Sequence, residues 1–480
     1  MEVITSNKGG QKLCFGGYMY VVHKRCANNI RWRCNKYTSL KCRAILVTSL
    51  DNEDPDLRAE HNHPNNAEEI NAVKCIQGMK VRARDTLAKP IQIYAEAVQQ
   101  LPNSTRAVLP TEDAIKRTLR NHKGAKFPDP QSLQELLIEG DWRTTGEPNN
   151  ERFLLHDNGP NSDERVIIFA TDGCLVHLAN STAWFVDGNF SLAPNLFLQL
   201  YVVRVKIQGL FVTCAYSLLQ RKTQTSYEIM LRALVSSCEE RNLFPDPLSI
   251  NMDFERAAIQ AFQAVFGDHI TIRGCFYHLC QSTQRKLQEL GLQRRYREDE
   301  DFSNFCGMLD GLAFLPLEDV ARGMEFLRQN IPEGAEDLVE YFDATYVSGT
   351  NRRVGNVNDD NVRIRNVPPV FPPPCWNVHN TTLQDDERTN NHTEGWNHRF
   401  STLVGQNHPT VWVLIQKMRQ ELSTDETKVQ QRQIGRQMPK KKKPAYVVMQ
   451  ARLKLLCEEY RDGVRNLVDF LNAVSHNIRF

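Results

Sequence analysis

The chain has 480 residues, 41% hydrophobic and 24% charged, with a net charge of +2. That is ordinary globular composition, long enough for roughly two to four domains. No apolar run reaches the roughly 18 residues that a membrane span needs, and the opening MEVITSNKGGQKL lacks the apolar segment of a secretory signal. The 13 cysteines are scattered and odd in number. They point to a reducing compartment and to metal ligation rather than a disulfide framework. Charge is unevenly placed: residues 3–50 hold nine Lys or Arg and no acid, a local field that favours a polyanionic partner over a merely solubilising surface.

The first elements, YMYVVHK, IRWRCNK and CRAILVTSL, read as short β-strands separated by turn residues. Cys34, Cys42, His61 and His63 stand among them, two thiols and two imidazoles, the donor set of a closed tetrahedral zinc site. On a strand, His61 and His63 would share a face. Other readings are open: small buried thiols, a polar HNHP turn, or ligation by Cys14, Cys26 and His23. A module with so little core gains folding free energy from a structural metal. The order Phe15, Tyr20, Trp32, Cys34, Cys42, His61, His63 resembles the FLYWCH-type zinc finger. That resemblance implies a β-sheet domain similar to the WRKY and GCM1 DNA-binding domains over residues 1–66. Lys24, Arg25, Arg31, Arg33 and Lys41 are the candidates for contact with double-stranded DNA, of the salt-dependent kind that phosphates give. A protein–protein role is the other use of such a finger.

Residues 67–150 read as a helical connection. AEEINAVKCIQGMKVRARDTLAKPIQIYAEAVQQL has periodic apolar residues, and TEDAIKRTLRNHKGAKF opens on Thr111, a plausible N-cap, with a basic second half. This is compatible with a helix-turn-helix, and more simply with packing helices.

From about residue 151 the pattern becomes VIIFAT, TAWFVDGNF, LQLYVVRVKI and LFVTCAYSLLQ, four strands. A helix TQTSYEIMLRALVSSC, a strand LSINMDFE, a helix RAAIQAFQAVF and a strand ITIRGCFY follow. Strands first and α/β alternation afterwards predict a mixed sheet with helices on its faces. Asp187 ends one strand among Trp184, Phe185, Val186 and Phe190, an unusual setting for an acid without a partner or a metal. Asp253 ends another. Two roles are open for it, helix N-cap and metal ligand. Two carboxylates at the carboxyl ends of strands need a cation between them. Mg²⁺ or Mn²⁺ suits such donors, and two ions about 4 Å apart support phosphoryl transfer. Glu394 lies early in the helix that starts within RTNNHTEGWNHRF, where interaction with the helix dipole is its simpler role.

FVDGNF, INMDFERAAIQAF, GCFYHLCQS and NNHTEGWNHRF together resemble the MULE transposase domain of the Mutator superfamily, over roughly residues 165–405. The resemblance implies a ribonuclease-H-like fold with a DDE triad of Asp187, Asp253 and Glu394, and a helical insertion at about 296–385. It also gives Cys275 and His278, a Cys-x2-His pair, a place near the active site; plain packing is the alternative for them. The tail, 406–480, reads as helical. Its run Lys440–Lys443 has the character of a nuclear-import signal. The SWIM finger carried by many such transposases has no counterpart around the single Cys457.

The expected architecture is therefore an α+β and α/β multidomain chain: a zinc-binding β domain, a helical connection, a ribonuclease-H-like mixed sheet at 151–405 and a helical tail. The implied function is metal-dependent DNA cleavage and strand transfer in the nucleus, by a dimer or larger assembly on DNA and away from membranes. The rival is a domesticated zinc-finger DNA-binding or regulatory protein whose core is only a scaffold. All three acids being present favours activity.

Overall fold

A computed structural model describes residues 1–5, 10–122, 127–354, 363–386, 388, 391–436 and 444–478. The run Lys440–Lys443 lies outside these. The chain forms two compact units, Met1–Asp129 and Pro130–Phe480.

The first unit opens with an antiparallel meander, β1 (Glu2–Thr5), β2 (Gln11–Phe15), β3 (Tyr18–Arg25), β4 (Ile30–Cys34), β5 (Ile45–Thr48) and β6 (Asp56–Leu57), in that spatial order. Gly16 and Gly17, both at positive φ, make the two-residue turn between β2 and β3, the backbone that such a tight hairpin requires. Alternation sets the faces. Along IRWRC, Ile30, Trp32 and Cys34 are buried while Arg31 and Arg33 point the other way. Leu13, Tyr20, Ile30, Trp32 and Leu46 pack into one core, and the Trp32 indole N–H donates to Thr48 Oγ1 at 3.0 Å. Part of the opposite face is covered by α1 (Ala67–Asp85), whose Ile70 meets Ile4, Cys14 and Met19. Asn66 caps α1 by accepting the Glu69 N–H. Helices α2 (Pro90–Gln99), α3 (Asn103–Ala107) and α4 (Glu112–His122) complete the unit. Met79, Ala83, Ile93, Ile115 and Leu119 form a small separate core there.

The second unit is built on seven strands, β7 (Leu154–Asp157), β8 (Val166–Phe169), β9 (Ala183–Asn189), β10 (Gln199–Ile207), β11 (Leu210–Leu219), β12 (Ser249–Met252) and β13 (Thr271–Gly274). Their spatial order is β13-β12-β9-β10-β11-β8-β7, with β12 parallel to both neighbours and the other pairs antiparallel. It is a mixed sheet with helices α5 (Asp172–Ala179), α6 (Gln224–Glu239), α7 (Arg256–Phe266) and α8 (Phe276–Glu289). The strand expected through ITIRGCFY stops at Gly274, and Phe276 already begins α8.

A helical body follows, α9 (Gln293–Glu298), α10 (Glu300–Gly311), α11 (Val320–Gln329) and α12 (Glu336–Phe342). After it come a ribbon of β14 (Thr350–Val354) and β15 (Arg363–Val367), and then α13 (His379–Leu383). The chain returns to the sheet as α14 (Asn391–Val404) and α15 (Val411–Gln433), and ends in α16 (Pro444–Arg461) and α17 (Leu467–Ile478). Helix α15 lies on β11, whereas α17 packs on α10 and shares its core of Phe305, Leu309, Phe470 and Val474.

Candidate functional site

In the first unit, Cys34 comes from the end of β4 and Cys42 from the loop before β5. His61 and His63 come from an irregular segment after β6, not from a strand. Their donor atoms all lie within 4.8 Å of one another. Cys34 Sγ stands 3.3 Å from His63 Nε2, Cys42 Sγ 3.4 Å from His61 Nδ1, and the two imidazole nitrogens 3.4 Å apart. Zinc bonds of about 2.0 Å to nitrogen and 2.3 Å to sulfur in a tetrahedron imply separations of about 3.3–3.8 Å. The outward nitrogens are engaged as well. His61 Nε2 meets the Tyr20 hydroxyl at 2.8 Å, and His63 Nδ1 lies 3.0 Å from the Pro64 carbonyl. Partners of this kind leave the inward nitrogen unprotonated, as ligation requires. Tyr18 stacks flat on His61 at 3.6 Å. Burial, with Cys42 adding to it, pushes the Cys34 thiol up to about 11, and burial beside His63 pulls His61 down. Two thiols crowded against two imidazoles fit a bound cation.

The basic residues separate. Lys24 and Arg31 are cross-strand partners, and Arg33 follows on the same face, away from the aromatic core. Lys12 joins this row through the Lys12–Val21–Arg33 register, unnoticed in the sequence. The Arg33 guanidinium also lies over the Tyr37 ring. Arg25 donates to Gln11 Oε1 at 2.8 Å, and Lys41 stands apart in the loop at positive φ.

In the second unit, β12 runs parallel to β9 with Asn251 beside Phe185. Two residues further along that register Asp253 follows the end of β12 beside Asp187, which does not end its strand as expected: it is paired with Val202 inside β9, and Gly188 and Asn189 continue the ladder because β10 extends past β12 there. Asp253 is not the cap of α7. Glu255 holds that position, and its own side chain makes no capping bond. Asp253 Oδ1 instead faces His278 Nδ1 at 2.6 Å, while His278 Nε2 lies 3.9 Å from Glu394 Oε1. The first contact is out of line for a hydrogen bond, so Asp253 Oδ1, His278 Nδ1 and Glu394 Oε1 are buried without a directional partner. Cys275, the N-cap residue of α8, groups with His278 and Glu394 within 4.8 Å. The three acids by themselves are not such a group among the described residues, because the His278 ring stands between Asp253 and Glu394.

Burial and repulsion from Asp253 push the Asp187 carboxyl up to about 7. Burial likewise raises Glu394. Burial alone would pull His278 down, but Asp253 and Cys275 prevail and push it up to about 11. Asn397, which sequence reasoning missed, is the pin of the site. Its amide donates to Asp187 Oδ2 and accepts from Asn189 at 3.3 Å, tying α14 to β9. It lies one helical turn after Glu394 and so on the same face, the signal that could have found it. Buried Arg204 donates to the His392 carbonyl at 2.9 Å. Trp396 Nε1 and Arg399 donate to buried Glu421 of α15. A Cβ at Gly188 would meet the end of the Gln199 side chain, so that amide would have to shift, and the Gly188 N–H donates to Asp187 Oδ1 at 2.9 Å.

Residues 3–63 match the family model of the FLYWCH zinc finger domain, and residues 183–282 match that of the MULE transposase domain. No curated protein matches the chain significantly. The first match spans the whole Cys/His cluster. The second spans Asp187, Asp253, Cys275 and His278 and ends before Glu394. The two domains support a DNA-binding, transposase-like protein with a structural zinc site. Among the described residues no helix is long and apolar enough to cross a membrane.

Proposed function

We propose that the chain is a transposase that cuts double-stranded DNA and joins its ends, acting in the nucleus. The observation that supports this most is the place of Asp187 and Asp253 side by side on the parallel neighbours β9 and β12, with Glu394 brought within reach of the imidazole that faces Asp253. The sheet would be ribonuclease-H-like, with the body from α9 to α13 as its insertion, and the finger akin to the WRKY and GCM1 domains. Zinc would be held by Cys34, Cys42, His61 and His63. Asp187, Asp253 and Glu394 would hold Mg²⁺ or Mn²⁺: the buried Asp253 Oδ1 and Glu394 Oε1, which accept no hydrogen bond, and the raised carboxyls of Asp187 and Glu394 suit a hard cation. When bound, such a metal activates the attacking oxygen and stabilises the leaving one.

The chain's own part is positioning and charge. Asn397 and Gly188 orient Asp187. His278, favoured in its charged form between Asp253 and Glu394, offsets part of their negative charge and holds the two carboxylates near each other. Lys24, Arg31 and Arg33 would meet DNA phosphates, with Arg25 and Lys41 at the margin. Asp253→Asn tests the reading. The variant should lose nicking of supercoiled DNA in Mn²⁺ and keep wild-type affinity for duplex. If it cuts as well as the wild type, the assignment is wrong and a purely DNA-binding role takes its place.

A further inference from the structure

Strands β14 and β15 form an isolated two-stranded ribbon. Its register sets Arg352 directly opposite Arg365, with Arg353 and Arg363 in the same two strands and no acid among the ten residues. The eight residues between the strands contribute Asp359 and Asp360, so the positive charge is concentrated in the strands. A ribbon without a third strand is marginal in water, and like charges facing each other across it cost further stability. Arg352 and Arg365 are both exposed, and among the described residues no acidic side chain pairs with either. A polyanion laid on the ribbon would remove both liabilities.

The base of the ribbon is firmly held. Gly349, at positive φ, lies so close to the Val367 carbonyl and Pro368 that a Cβ would overlap them. Beyond it, Phe371 N–H donates to the Thr345 carbonyl, and the Trp376 indole donates to the carbonyls of Tyr346 and Phe371, each at 3.0 Å. The rings of Tyr346 and Phe371 pack on Phe254, at 5.7 and 5.1 Å. Phe254 is the residue after Asp253. The segments that flank the arginine ribbon are therefore packed on the residue that follows Asp253.

We infer that this ribbon is a DNA-holding arm that grips the duplex next to the phosphate being cut. The inference rests on reading Asp187, Asp253 and Glu394 as the cutting site. Each strand spans about 17 Å, and a two-stranded ribbon is one of the shapes that the major groove of B-DNA admits. Guanidinium forks suit phosphate and guanine edges. An acidic protein would satisfy the charge but would give no reason for the arm to begin beside Asp253.

The test is the affinity of the full-length protein for a short fluorescent duplex of arbitrary sequence, followed by anisotropy as KCl rises. Two lost phosphate contacts should lower the slope of log affinity against log salt by about 1.8, and weaken binding about thirtyfold near 0.15 M salt. That is the result expected for R352A/R365A, with R352K/R365K keeping the slope and both variants keeping the wild-type unfolding transition. An unchanged slope in R352A/R365A, while the wild type binds and nicks DNA, overturns the arm and leaves the cutting site standing. A wild type that neither binds nor nicks duplex removes both readings. Weakened binding to single-stranded RNA alone, or to an acidic protein alone, also overturns the arm.

Discussion

Cys34 shows how few residues decide the finger. It is fully buried, sits at a strand end, and faces His63 across 3.3 Å. The sheet's aromatic core is small, so the free energy of zinc binding is most of what folds such a module. Cys34→Ser should take bound zinc from one equivalent to none. Hydrogen exchange should then become fast across β2 to β5 while the β9–β12 region stays protected; a serine variant that retains stoichiometric zinc and slow exchange would remove Cys34 from the ligand set. Asp187 and Asp253 stood out because each acid closes an apolar run. His278 was visible only as part of a motif. Its place between Asp253 and Glu394 depends on α8 starting directly after β13, and the apolar run ITIRGCFY hid that junction by reading as one strand.

Helix α14 has to deliver Glu394 to a sheet whose last strand lies far back in the sequence. Three contacts fix it: Asn397 on Asp187 and Asn189, the Arg204 guanidinium on the His392 carbonyl, and Trp396 with Arg399 on Glu421. The Asn397 amide touches a proposed ligand rather than substrate, so it is a positioning residue. Loss of such an outer partner usually costs 10–100-fold in metal affinity. Asn397→Ala should therefore raise the Mn²⁺ concentration for half-maximal nicking by about tenfold or more, with little change in the rate at saturating Mn²⁺. An equal fall in rate at every Mn²⁺ concentration would mean general damage instead. Elements with strong local signals, such as α6, α7 and β9 to β12, were readable from periodicity. Helix α5 was not, because DGCLVHLA is short and follows an apolar strand, although Thr171 does cap it by accepting the Cys174 N–H. Strand β7 is only four residues long and was passed over for the same reason.

At the scale of the whole molecule, two compact units divide the work. The first gathers a Cys/His cluster and a basic sheet face; the second gathers acids on β9 and just past β12, two inner strands of a mixed sheet, with the segment that carries the arginine ribbon packed on the residue after Asp253. The order of strands and helices made the mixed sheet readable. The convergence of Glu394 on it was not derivable from local pattern, because the whole body from α9 to α13 intervenes, and only the family resemblance pointed there. Glu394 also lies beyond the matched transposase span. The decisive measurement is nicking of supercoiled DNA in Mn²⁺ by Glu394→Gln against the wild type, at equal duplex affinity. The account predicts a loss of more than about a hundredfold, larger than removing an outer partner would give. Nicking at the wild-type rate would contradict it and leave this helix as scaffold.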